Sequence, residues 1–163
     1  MGQGQGLARL PDARRPNVVD EQLFRFLIDL EVSKASRLQY CVSLVCVTPS
    51  NGVEHVDAAF AQRAAEAVSR HFRATDVVST RAPAILLLLV AAETRDLPQI
   101  FRRTAAELEA HAPASGPGGR ITWGAGGSCY PQTAMSGSEL LGQATELTLE
   151  ARRQRADTLI LPA

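Results

Sequence analysis

The side chains able to do acid–base, nucleophilic or metal chemistry are few, and their spacing does not gather them. The histidines are His55, His71 and His111. They lie in or beside helical segments, far apart, with no ligand spacing, and read as surface residues. The cysteines are Cys41, Cys46 and Cys129, in or beside apolar segments. They are odd in number and lack a Cys-x-x-Cys, which reads as reduced, buried thiols of a cytosolic protein. Spacing arranges no Ser, His and Asp into a triad. Gly124-Ala-Gly126-Gly127 hints at a nucleotide loop, but the third glycine of the dinucleotide fingerprint falls at Cys129 and no helix starts there. Glycine inside a strand more often marks a bulge or close packing. There is no Walker sequence, and neither a metal site nor a cofactor is expected.

The elements that would position any site follow from periodicity. Phe24, Leu27, Ile28, Ala35 and Leu38 recur at helical spacing over 20–38. A buried strand is predicted over 42–47, then a turn cluster over 48–52. A second helix is predicted over 57–72, on Phe60, Ala64, Ala67, Val68 and Phe72. Strands over 76–79 and 85–90 flank Ala82-Pro83 and read as a hairpin. A third helix follows over 97–111, then a Pro/Gly/Ser loop over 113–119 and a Gly-broken strand from 121 to 127 that ends at Tyr130-Pro131. Ser136 and Glu139 have capping-box spacing and open a fourth helix. A last strand is predicted over 158–161. The order α-β-α-β-β-α-β-α-β gives one α/β domain: a largely antiparallel sheet of about five strands with helices on both faces. Residues 1–18 are polar, carry Pro11 and Pro16, and are expected to form a flexible tail before a domain at 19–163.

Composition removes several classes of function. The chain has 163 residues, which fits one ordinary domain. Its 17 basic and 17 acidic side chains cancel, which argues against coating nucleic acid or an anionic membrane. No apolar run approaches the roughly 20 residues that span a bilayer. The first 15 residues hold no apolar stretch fit for secretion, and Gly6 spoils a myristoylation match. The expected location is the cytoplasm.

Several segments, in order, resemble the GGDEF domains of bacterial diguanylate cyclases. Arg73-Ala-Thr-Asp76, five further residues, then Ala82-Pro83-Ala84-Ile85-Leu86 and an apolar strand align without a gap on that family's R-x-x-D, five residues, G-G-[DE]-E-F and strand. Glu31-Val-x-Lys-Ala-x-Arg37 and Ser43-Leu-Val-Cys-Val47 resemble its helix and first strand. Ile121-Thr-Trp-Gly-Ala-Gly126 with Tyr130-Pro131 is similar to its T-x-S-x-G-x-A…Y-P strand, and Ser138-Glu-Leu-Leu141 with 144–152 to its last helix. The resemblance spans about residues 20–161.

It also implies a degenerate member. The five signature positions hold Ala82, Pro83, Ala84, Ile85 and Leu86, and the two aspartates expected after the first strand fall on Thr48 and Ser50. The guanine-recognition loop is short, with 51–56 separating strand from helix. Joining two nucleoside triphosphates is phosphoryl transfer, which needs carboxylate-held Mg²⁺. Thr48, Ser50 and Ala84 offer none, and Pro83 removes an N–H donor. A pseudo-enzyme without cyclase activity is expected.

What the resemblance retains is the family's inhibitory site, which binds cyclic di-GMP outside the catalytic pocket. It falls on Arg73 and Asp76, with Arg102 and Arg103 near the place of a second arginine. The chemistry suits: a guanidinium forks onto phosphate or the O6/N7 edge of guanine, and a carboxylate accepts from guanine N1–H and N2–H. The same two residues also suit a local ion pair or a simple strand entry. The leading expectation is an inactive signalling module that binds cyclic di-GMP, relays it to a protein partner and is bridged into a homodimer by its ligand. The alternative is a nucleotide-independent interaction scaffold, and a third is nucleotide hydrolysis.

Overall fold

The computed structural model describes residues 17–51, 56–112 and 120–163. Most of the expected short loop over 51–56, the loop over 113–119 and most of the expected tail lie outside the described residues.

Ten elements build the domain: β1 (Val18–Val19), α1 (Glu21–Leu38), β2 (Val42–Asn51), α2 (Ala58–Ser69), β3 (Val77–Arg81), β4 (Ala84–Val90), α3 (Leu97–His111, entered through a 3₁₀ turn at Thr94–Asp96), β5 (Thr122–Tyr130), α4 (Gly137–Arg152) and β6 (Thr158–Ile160). Asp20, Asp57 and Ser136 each cap a helix by accepting a backbone N–H three residues on, the role their short polar side chains fit. Glu139 does not close the expected box onto Ser136; its carboxylate accepts the N–H of Met135 at 2.8 Å.

The sheet has six strands in the order β1-β3-β4-β2-β5-β6, not five. The additional strand is β1, which pairs parallel to β3 through Val18↔Val78. Asn17 and Val18, assigned to the tail from the sequence, are therefore structured. The three central pairings are antiparallel and only the two edges are parallel. β2 also outruns expectation. The turn residues Thr48, Pro49 and Ser50 continue the strand, with Pro49 opposite Trp123 and a register shift before Asn51. Pairing with β4 ends at Val47↔Ile85, so beyond it β2 has a neighbour on one side only, where proline is tolerated.

The continuous apolar runs of β2 and β4 reflect a sheet covered on both faces. Val45, Val47, Ile85, Leu87 and Leu89 point to α2 and α3, meeting Phe60, Ala64, Leu97, Phe101 and Leu108. Leu44, Cys46, Leu86 and Leu88 point to α1 and α4, meeting Phe24, Ile28, Leu140 and Ala144. Phe60 stacks on Trp123 with centroids 6.4 Å apart. The glycines of β5 serve close packing. A Cβ on Gly126 would lie 2.2 Å from the Ala144 carbonyl oxygen, so α4 rests directly on strand backbone there.

Candidate functional site

The R-x-x-D residues sit where α2 gives way to β3, and the turn that holds them is built by Asp76. Its side chain is buried. Oδ2 accepts the N–H of Arg73 at 3.1 Å and Oδ1 accepts the N–H of Val90 at 2.9 Å. Burial raises its pKa above the usual carboxylate value, against the lowering pull of those two N–H groups and the Arg73 charge. Asn17 supports the same turn from outside: its amide donates to the carbonyls of Ala74 and Asp76, and its own carbonyl accepts the N–H of Val78 at 3.0 Å. No sequence signal points to Asn17, which lies in a polar segment ahead of the first periodic run.

Arg73 itself is exposed. Its side chain lines a cavity of about 200 Å³ together with His71, Asp76, Val90, Ile100 and Arg103. Thus three of the four residues expected at the site, Arg73, Asp76 and Arg103, share one cavity. Arg102 does not line it and is exposed elsewhere on α3. Arg73, from the turn after α2, and Arg103, from α3, thus line one cavity with apolar neighbours, and two guanidiniums are able to hold a phosphate or a planar base edge. The cavity is smaller than the roughly 300 Å³ at which small-molecule pockets begin, so a larger ligand would be only partly enclosed.

His71 and His111 read from the sequence as unrelated surface residues. They are exposed, yet they meet at one carboxylate: His71 Nε2 lies 2.9 Å from Glu107 Oε2, and His111 Nε2 lies 2.9 Å from Glu107 Oε1. The i,i+4 spacing of Glu107 and His111 was readable; the arrival of His71 from the end of α2 was not.

A second cavity, of about 180 Å³, lies between the β3–β4 turn and α4. Cys46, Thr48, Ala82, Pro83, Ala84 and Leu86 form one wall, and Arg81 and Arg152 also line it. Arg81 is engaged by Glu21, whose own pKa it lowers. Of the apolar signature segment, Ile85 and Leu86 are buried, Pro83 and Ala84 are half-buried, and Ala82 is exposed. The donors here do not fit Mg²⁺, which takes carboxylate oxygens in octahedral geometry. The Ala84 side chain has no polar atom, and the Ser50 hydroxyl is bonded to Thr122 Oγ1 at 2.7 Å. Among the described residues, no group of three or more His, Cys, Asp or Glu side chains could hold a metal ion. Among them, too, no helix is long and apolar enough to cross a membrane. All three cysteines are free, with Cys46 and Cys129 buried and Cys41 half-buried.

No protein-family model matches the sequence, and no curated protein does. Solved structures do. The GGDEF domain of TpbB (YfiN) from Pseudomonas aeruginosa matches with a TM-score of 0.70 at 16% identity, over 90% of this chain and 91% of that one. The GGDEF domain of DgcB from Caulobacter crescentus, in complex with c-di-GMP, matches with a TM-score of 0.71 at 11% identity, over 93% and 94%. The diguanylate cyclase SiaD of Pseudomonas aeruginosa, in complex with its activator SiaC, matches with a TM-score of 0.73 at 14% identity, over 88% of this chain and 58% of that one. Identities this low speak for architecture alone: the chain has the fold of a GGDEF domain.

Proposed function

We propose that the chain is a signalling module that binds cyclic di-GMP at the Arg73–Asp76–Arg103 cavity and relays its presence to a protein partner, without making the dinucleotide. The observation that carries this reading is that Arg73, from the turn after α2, and Arg103, from α3, line one cavity. Asp76 contributes first as the brace that presents Arg73, since both of its oxygens already accept backbone N–H groups. Each retains a lone pair for a guanine donor. The small cavity supports a ligand that projects outward and bridges two copies of the domain. The c-di-GMP bound to DgcB and the activator bound to SiaD support the class of ligand and of partner.

The absence of synthesis rests on the donor set. Thr48, Ser50 and Ala84 stand where this fold would need carboxylates for magnesium, and Pro83 offers no N–H to a phosphate. A nucleotide-independent scaffold is the second reading, favoured by the outer face of α1, where Leu23, Phe26 and Leu30 stay exposed.

Calorimetric titration of the full chain with cyclic di-GMP separates the two. Saturable binding supports the module. No binding up to about 1 mM, the weak end of the ordinary affinity range, leaves the scaffold.

A further inference from the structure

We infer that His71 is a proton-gated contact of the same cavity: held on Glu107 beside His111, its imidazolium adds positive charge next to Arg73 and Arg103 and tightens binding of a phosphodiester anion as pH falls. The inference rests on the binding reading above and concerns its regulation.

His71 is placed to do this. It lines the cavity with Arg73 and Arg103, while its Nε2 faces Glu107 Oε2 at 2.9 Å. His111 Nε2 occupies the other oxygen of that carboxylate at 2.9 Å. An ionised carboxylate only accepts hydrogen bonds, so both rings must present N–H from Nε2. In each neutral ring Nδ1 is then the free base, and that atom takes up the second proton. Glu107 fixes the tautomer of both rings. The His71 side chain is 55% exposed, which gives the proton a path to solvent.

The charge balance explains why one proton matters. Arg73 and Arg103 carry two positive charges, and Asp76 and Glu107 carry two negative ones, so with neutral imidazoles the formal charge cancels. Protonation of His71 tips the balance to positive, and protonation of His111 adds to it. A cyclic dinucleotide carries one negative charge per phosphate and meets more complementary charge in the protonated state. Arg70, one residue earlier, is exposed, Glu66 on α2 is half-buried, and Arg102, next to Arg103 on α3, is exposed. The lining residues from β4, Leu89 and Val90, do not titrate. Histidine is the side chain whose ordinary range puts this change between about pH 5 and 8.

The test is the ratio of cyclic di-GMP Kd at pH 8 to that at pH 6, at constant ionic strength, in the full chain. Wild type is expected to bind about tenfold tighter at pH 6. His71→Gln and His71→Asn, checked for native circular dichroism, are expected to bring the ratio below about twofold. Glu107→Gln removes a negative charge and is expected to tighten binding at pH 8. Equal affinity at both pH values in wild type overturns the inference and leaves the binding reading standing. A tenfold ratio that survives in both His71 variants overturns it too, and assigns the proton to another group. No binding at any pH overturns both.

Discussion

Asp76 and Val90 are joined by a hydrogen bond of 2.9 Å from the Val90 N–H to Oδ1, which closes the open end of the β3–β4 hairpin. The other oxygen holds the backbone of Arg73, so one carboxylate sets both the hairpin and the arginine beside the cavity. Asp76→Ala leaves two N–H groups without their acceptor and is expected to cost about 2–3 kcal/mol. Asp76→Asn keeps one side-chain oxygen and should cost less. Denaturant unfolding measures both, and an alanine variant as stable as wild type would remove the brace from the account.

The same carboxylate gives a pH signature. Burial raises its folded-state pKa above the ordinary aspartate value of 3.8. The folded state therefore binds the proton more tightly than the unfolded one. The stability from this group is complete below the unfolded pKa and is lost as pH rises through the raised folded value. Stability of wild type relative to Asp76→Asn should decline as pH climbs from below 3.8 through that raised value. A difference flat with pH over that window would contradict the burial argument.

Two glycines of the α4 region should respond in opposite directions. A Cβ at Gly126 would meet the backbone of α4 at 2.2 Å and 2.5 Å, so Gly126→Ala should push the helix off the sheet at a cost of about 2–3 kcal/mol. A Cβ at Gly142 meets nothing within 4 Å. There alanine should stabilise by about 0.5–1 kcal/mol through helix propensity. Thermal or denaturant melts of the two variants check the sign of each.

Incubation with GTP and Mg²⁺ or Mn²⁺ should give no cyclic dinucleotide above background. The side chains at Thr48, Ser50 and Ala84 cannot assemble an octahedral oxygen shell. Time-dependent dinucleotide formation would sink the pseudo-enzyme reading.

The helices were legible because their caps and apolar stripes are local: Asp20, Asp57 and Ser136 start them where the sequence says they start. The sheet was less so. β1 has only Val18 and Val19, too short to show a period, and exists because β3 offers a parallel edge. The end of β2 reads as a turn because Pro49 normally breaks a ladder, and only the early end of β4 makes it tolerable. For the candidate site, the resemblance singled out Arg73 and Asp76, with Arg102 and Arg103 near the place of a second arginine. It could not choose between Arg102 and Arg103, since neighbours on a helix differ by a rotation that only packing fixes. Nor could it bring His71 to Glu107, because that contact joins the ends of two helices.

The choice between Arg102 and Arg103 is also the sharpest probe of the central claim. Cyclic di-GMP affinity should be measured at one fixed salt concentration for wild type, Arg73→Ala, Arg103→Ala and Arg102→Ala. The cavity geometry predicts losses of about tenfold or more at Arg73 and at Arg103, the scale of one charge-assisted contact, and a change within about twofold at Arg102. Equal losses at Arg102 and Arg103, or no loss at Arg73, would contradict a binding site built in that cavity.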